Sequence, residues 1–152
     1  VSVLYNPLLV GNVDPDRLKE TLAGAFGVSL EEVDVGHEDD QETRGWDAKV
    51  LTDYSPRNGD LSWGLSVFVA DEVPSPPSEE QLSLDLTRAL ATAVLFPPTE
   101  NIPSLWKVAT PRGEVAYARL HEPEHDTDSF RVTDVEIPLP ELPGAVVCRF
   151  PM

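Results

Sequence analysis

The residues His121-Glu122-Pro123-Glu124-His125 match the pattern H-E-x-x-H letter for letter. On a helix, that spacing sets two imidazoles one turn apart on one face, where they bind zinc with the glutamate beside them as general base. Asp126 and Asp128 follow closely and would add oxygen ligands. The chemistry needs the helix, however, and Pro123 removes a helical donor inside the motif. A strand-like run over 115–120 leads into the motif and the β-rich Phe130-Arg131-Val132 follows it. The preferred reading is therefore an exposed acidic loop over 121–128, in which Glu122, Glu124, Asp126 and Asp128 repel one another. A small metal-dependent enzyme or metal-binding protein centred on His121, His125, Asp126 and Asp128 is the alternative. His37-Glu38-Asp39-Asp40 is a second acidic cluster. It lacks the ordered oxygen ligands, the turn glycine and the distant glutamate of a calcium loop.

Other catalytic anchors are missing. There is no G-x-S-x-G elbow, no P-loop and no G-x-G-x-x-G, so acyl transfer, nucleotide hydrolysis and dinucleotide chemistry lack their usual residues, and no cofactor is expected. The one cysteine, Cys148, rules out an intrachain disulfide framework. Within the apolar run Val146-Val147-Cys148 it reads as a buried, inert thiol. Of the three tryptophans, Trp63 falls on an alternating core face. Trp46, at the end of a polar segment, and Trp106, in a proline-flanked strand, are candidate anchors for a partner.

These residues must be positioned by elements that the sequence marks in turn. A short apolar opening over 1–5 reads as a strand that exits at Asn6-Pro7. Asp14-Pro15-Asp16 caps a helix whose apolar stripe is Leu18, Leu22 and Phe26, and Gly27 stops it. Ser29 and Glu32 form a capping box for one further turn, and Val33 and Val35 a short strand. Residues 36–45 are polar without periodicity and read as a solvated loop. Runs over 49–54 and 61–70 read as a hairpin turning at Asn58-Gly59. In the second run Leu61, Trp63, Leu65, Val67 and Val69 alternate with small or mixed residues.

A second capping box, Ser78 with Gln81, opens a helix predicted over 79–96 with Leu86, Leu90 and Val94 on its stripe, ended by Pro97-Pro98. Strands over 105–109 and 114–121 flank the turn Thr110-Pro111-Arg112-Gly113. A strand over 130–137, a proline-rich connector over 138–143 and a last strand over 145–150 complete the chain. The predicted fold is a single α+β domain spanning 1–152: an antiparallel sheet with two helices on one face. Its order contains the β-α-β-β-α-β arrangement of ferredoxin-like folds, extended by C-terminal strands.

Charge is the strongest global signal. Against 27 Asp and Glu stand 11 Lys and Arg, a formal charge of -16. With three lysines and no basic run, the chain lacks the footprint that phosphate backbones require, so nucleic acid is not an expected partner. No stretch approaches the ~20 apolar residues of a membrane span. No basic n-region opens the chain, and cytoplasm is the expected compartment. The functional expectation is a non-catalytic domain that uses an acidic surface to engage a basic protein, with Trp46, Trp106, Glu122, Glu124, Asp126 and Asp128 as contacts. Small acidic immunity proteins neutralise basic toxins in this way, and the chain is similar to them in size and charge only. A self-associating domain, a homodimer through its free sheet face, is the third reading.

Overall fold

Asn6-Pro7 breaks the opening apolar run into two short strands, β1 (Val3–Tyr5) and β2 (Leu8–Leu9). The computed structural model describes residues 3–40, 42, 44–122 and 129–150. Helix α1 (Pro15–Phe26) starts as expected: the Asp14 carboxylate accepts from the backbone N–H groups of Asp16 and Arg17, and Gly27 ends the helix at φ 67°. The Ser29 N–H donates to the Glu32 carboxylate at 2.9 Å across a single 3-10 turn. Strand β3 (Val33–His37) follows, then β4 (Val50–Pro56), β5 (Asn58–Gly59) and β6 (Trp63–Val69). Helix α2 (Glu79–Leu90) is capped by the Ser78 hydroxyl, which accepts from the Gln81 N–H at 3.1 Å. After α2 the elements among the described residues are strands: β7 (Val94–Phe96), β8 (Leu105–Ala109), β9 (Val115–His121), β10 (Ser129–Val135) and β11 (Val146–Val147).

Among the described residues the architecture is α+β, with two helices and a large, mostly antiparallel sheet of eleven strands. The order is β11-β10-β9-β8-β7-β2-β6-β4-β3, with β1 also on β6 and β5 on β10. Only β3 with β4, β10 with β11, and β5 with β10 run parallel. This is a wider sheet than the predicted element order implied.

Two cores form on opposite faces. The helix-side core takes Leu18, Leu22 and Phe26 of α1, Leu82 and Leu86 of α2, and Leu65, Val67 and Val69 of β6, with Leu9 and Val94. Leu18, Leu22, Phe26, Leu65, Val67, Leu86 and Val94 meet here as predicted, with Leu90 half-buried against the cluster, whereas Leu61 and Ala93 of the predicted stripes fall in the second core. The second core joins Leu8, Leu95, Val108, Ala118, Leu120 and Val132 to Leu139 and Leu142 of the proline-rich connector. Because alternate residues of a strand face opposite ways, β2 and β7 supply neighbouring residues to different cores.

Four expectations are corrected. The second helix ends six residues short of Phe96, because Ala91 turns left-handed at φ 53° and 94–96 become a central strand between β2 and β8. A helix there would send Val94 and Leu95 away from the two cores they fill. Asn58-Gly59 is not a tight hairpin turn: only Gly59 has positive φ, and the pair lies alongside Ser129 and Phe130 of β10. A Cβ at Gly59 would fall 2.2 Å from the Phe130 carbonyl oxygen, so the close approach requires glycine. The polar run 36–45 is not wholly solvated, since Gly36 and His37 complete β3 and Arg44 is buried. Cys148 is exposed, because β11 is an edge strand whose residues 146–147 are exposed as well. The turn at Thr110 forms as predicted, with Gly113 at φ 85° and its N–H on the Thr110 carbonyl at 2.9 Å.

These contacts set the stability expectations. Leu86 is fully buried, so Leu86→Ala lowers the urea unfolding free energy by about 2–5 kcal/mol, and the half-buried Leu90→Ala by less. Thr52, opposite Val67 in the register, buries its hydroxyl with no hydrogen-bond partner among the described residues. Thr52→Val removes that penalty at constant shape and raises the same unfolding free energy by about 1 kcal/mol.

Candidate partner-binding surface

The described members of the predicted contact set fall into two groups. Trp46 lies between β3 and β4, and Trp106 sits on β8, with β6, β2 and β7 between β4 and β8. At about 4.8 Å per strand, the two tryptophans belong to surfaces about 20 Å apart.

The first group is built round Arg44. Its side chain is 1% exposed, lying over Gly36 of β3, where an added Cβ would meet the guanidinium Nε at 3.0 Å. The Nε donates to the Asp34 carboxylate at 2.5 Å, one terminal nitrogen to Asp53, and the other to the Thr52 carbonyl at 2.9 Å. Burial alone would lower the Arg44 pKa, but the bonds from Asp53 and Asp34 more than reverse this, so the group stays cationic. Arg44 thus pins the 38–48 segment to the sheet. Its guanidinium carbon lies 5.8 Å from the centroid of the Trp46 ring, and Trp46 itself is 62% exposed. Glu38, Asp39, Asp40, Glu42 and Asp47, all exposed, surround that tryptophan in sequence.

Beside it, Lys49 bonds Glu32 at 2.6 Å. Hydrogen bonds from Lys49 and from Ser29 hold the Glu32 carboxyl at about 2. A polar cleft of about 320 Å³ opens here, lined by Glu31, Glu32, Asp34 and Asp47 together with Lys19 and Lys49.

The second group does converge. Trp106, half-buried, faces a cleft of about 660 Å³ shared with Ser104, Leu120, His121, Glu122 and Arg131. His121 is the last residue of β9, in extended backbone opposite Arg131 of β10, and both are exposed. Glu122 is exposed too. Glu124, His125, Asp126 and Asp128 lie outside the described residues, as does most of the 121–128 loop. Among the described residues, no three His, Cys, Asp or Glu side chains are grouped to hold a metal ion, and no helix is long and apolar enough to cross a membrane.

Sequence reasoning named Trp46 but missed Arg44, whose signal was a lone cation in an acidic run, just before Gly45-Trp46. It also missed Phe68, the one large apolar residue on the otherwise small or polar face of β6. The chain matches no known family model, no curated protein and no solved structure.

Two outcomes follow from this geometry. Arg44→Met leaves Asp34 and Asp53 facing each other without a cation and lowers the urea unfolding free energy by about 2–3 kcal/mol. Glu32, whose folded pKa lies below its unfolded one, contributes stability that is full above about pH 4.5 and is lost as pH falls towards about 2. Lys49→Met removes the main cause of that depression. Thermal midpoints measured across this window therefore fall less steeply in the variant than in the wild type.

Proposed function

We propose that this domain is a non-catalytic binding protein that engages a basic protein partner through its acidic surface. The observation that carries the reading is Trp46, a large aromatic side chain mostly in solvent yet oriented by a buried, fully bonded arginine and set in an acidic segment. Exposed tryptophans held in place are the usual anchors of interfaces, since little side-chain entropy remains to be lost on binding. The charge of -16 supplies the steering. Several of the lysines and arginines are occupied within the molecule: Lys49 with Glu32, Lys107 with Glu80, and Arg112 with Glu114 and Glu141. An inhibitor of a basic target, similar in size and charge to immunity proteins, is the specific form proposed. A cytoplasmic setting suits a single free thiol at Cys148.

We also propose a ferredoxin-like arrangement for the central strands. The order β7-β2-β6-β4, with α1 after β2 and α2 after β6, supports it. Strand β3 would extend that unit on one side and β8 to β11 on the other.

Pull-down from native lysate with identification of the captured protein tests the function. The expected partner is basic, and its capture weakens as salt rises from about 0.05 to about 0.5 M, over which the Debye length shrinks severalfold. Capture of an acidic partner through a salt-insensitive contact would overturn the proposal.

A further inference from the structure

We infer that the docking site is the helix-free face of the β3-β4-β6-β1 half of the sheet, and that its occupant is a protein surface with an apolar centre and a cationic rim. The inference rests on the proposed function and gives it a place. The register defines the face. Asp34, Leu51, Phe68 and Leu4 form one cross-strand row, since Asp34 pairs with Leu51, Leu51 with Phe68, and Phe68 with Leu4. Their partners one residue away in each strand, such as Val33, Val50, Val67 and Val69, are buried under the helices. On the opposite face the second core covers the sheet only from Leu8 onward. Phe68 on β6 and Leu4 on β1, which pairs with β6 alone, are therefore left 48% and 51% exposed, with Leu51 half-buried between Phe68 and Asp34. Trp46 lies beyond that end of the row, its ring centroid 5.8 Å from the guanidinium carbon of Arg44, which bonds Asp34. A contiguous apolar row of this kind marks an interaction surface rather than scattered surface hydrophobics.

Charge selects the occupant. The next positions on the same face are Glu32 and Lys49 on one side of the row and Asp53 and Ser66 on the other. Two of the nearby cations are spent: Arg44 on Asp34 and Asp53, Lys49 on Glu32 with Glu72 also near it. The adjoining cleft carries four carboxylates, Glu31, Glu32, Asp34 and Asp47, against two lysines, and it accepts a lysine or arginine side chain of the partner. A second copy of this chain would bring another charge of -16 to an acidic rim, and the repulsion between like charges disfavours it. A basic protein satisfies both the row and the rim.

The test uses a fluorescently labelled peptide of alternating lysine and leucine, with a glutamate–leucine peptide of equal length as charge control. The wild-type protein is expected to bind the lysine peptide and not the glutamate peptide. Phe68→Ser and Trp46→Ala are expected to weaken that binding about tenfold or more at an unchanged urea midpoint, and Trp106→Phe to leave it unaltered. Leu4→Ser replaces Phe68→Ser if the latter lowers the midpoint. Binding by both face variants at wild-type strength overturns the location and leaves the acidic-surface reading standing. No binding of the lysine peptide by the wild type overturns both. A dimer in sedimentation equilibrium that Phe68→Ser dissociates assigns the face to a second copy and overturns the choice of occupant.

Discussion

The structure turns on two adjacent leucines. Leu8 and Leu9 form a strand of only two residues, yet β2 is the one strand that joins β6 to β7 and so links the two halves of the sheet. Strand alternation sends Leu9 to the helix-side core and Leu8 to the opposite one, and Val94 and Leu95 on β7 repeat the division. One face of the sheet is thus dry where α1 and α2 lie, and the other where the 139–142 connector folds back. Two cores on opposite faces need a seam buried on both sides, and 92–96 are buried throughout. The run Thr92-Ala93-Val94-Leu95-Phe96 can serve that seam as a strand, whereas a helix would bury a single stripe. This is why α2 stops at Leu90.

The same division leaves one quadrant of the sheet uncovered. Among the described residues, the second core does not extend over the helix-free face of β3, β4, β6 and β1, where Phe68 and Leu4 stay exposed. Arg44 is the chain's own partial answer. Its guanidinium fills the space above Gly36 and joins two strands by binding Asp34 of β3 and Asp53 of β4. That bond network needs β3 and β4 to be parallel neighbours in register, since Gly36 pairs with Asp53. Beyond Arg44 the face is apolar and bare at Phe68 and Leu4, and Trp46 stands at its margin.

Much of this was legible in the sequence, for local reasons. The caps at Asp14 and Ser78, the stop at Gly27 and the turn at Thr110–Gly113 depend on a few neighbouring residues, and they form as read. The stripes of α1 and α2 and the inward face of β6 follow from periodicity alone. What escaped was set by distant pairing. Val94, Leu95 and Phe96 continue a helical stripe in sequence, and only the need to sit between β2 and β8 makes them a strand. Arg44 looked like one more polar residue because its partners Asp34 and Asp53 lie on strands whose parallel register no local pattern announces. Leu8-Leu9 is too short to show any period. Of the predicted contacts, Trp106, His121 and Glu122 share a cleft because β8 and β9 form the expected hairpin. Trp46 lies apart from them because the central strands intervene.

The distribution of charge ties stability to recognition. A chain at -16 repels itself, and its few cations are placed where separate segments must be held together. Arg44 fastens the 38–48 segment to β3 and β4, and Arg17 reaches the Ala89 carbonyl at 3.1 Å to tie α1 to the end of α2. Lys107 of β8 reaches Glu80 of α2, and Arg112 clamps the connector at Glu141 over the second core. With these cations committed, carboxylates dominate the remaining surface charge and its field. Added salt screens that field in both of its roles. It relieves the self-repulsion of the folded chain while it weakens attraction to the proposed basic partner, so on that proposal folding and binding respond to ionic strength in opposite directions.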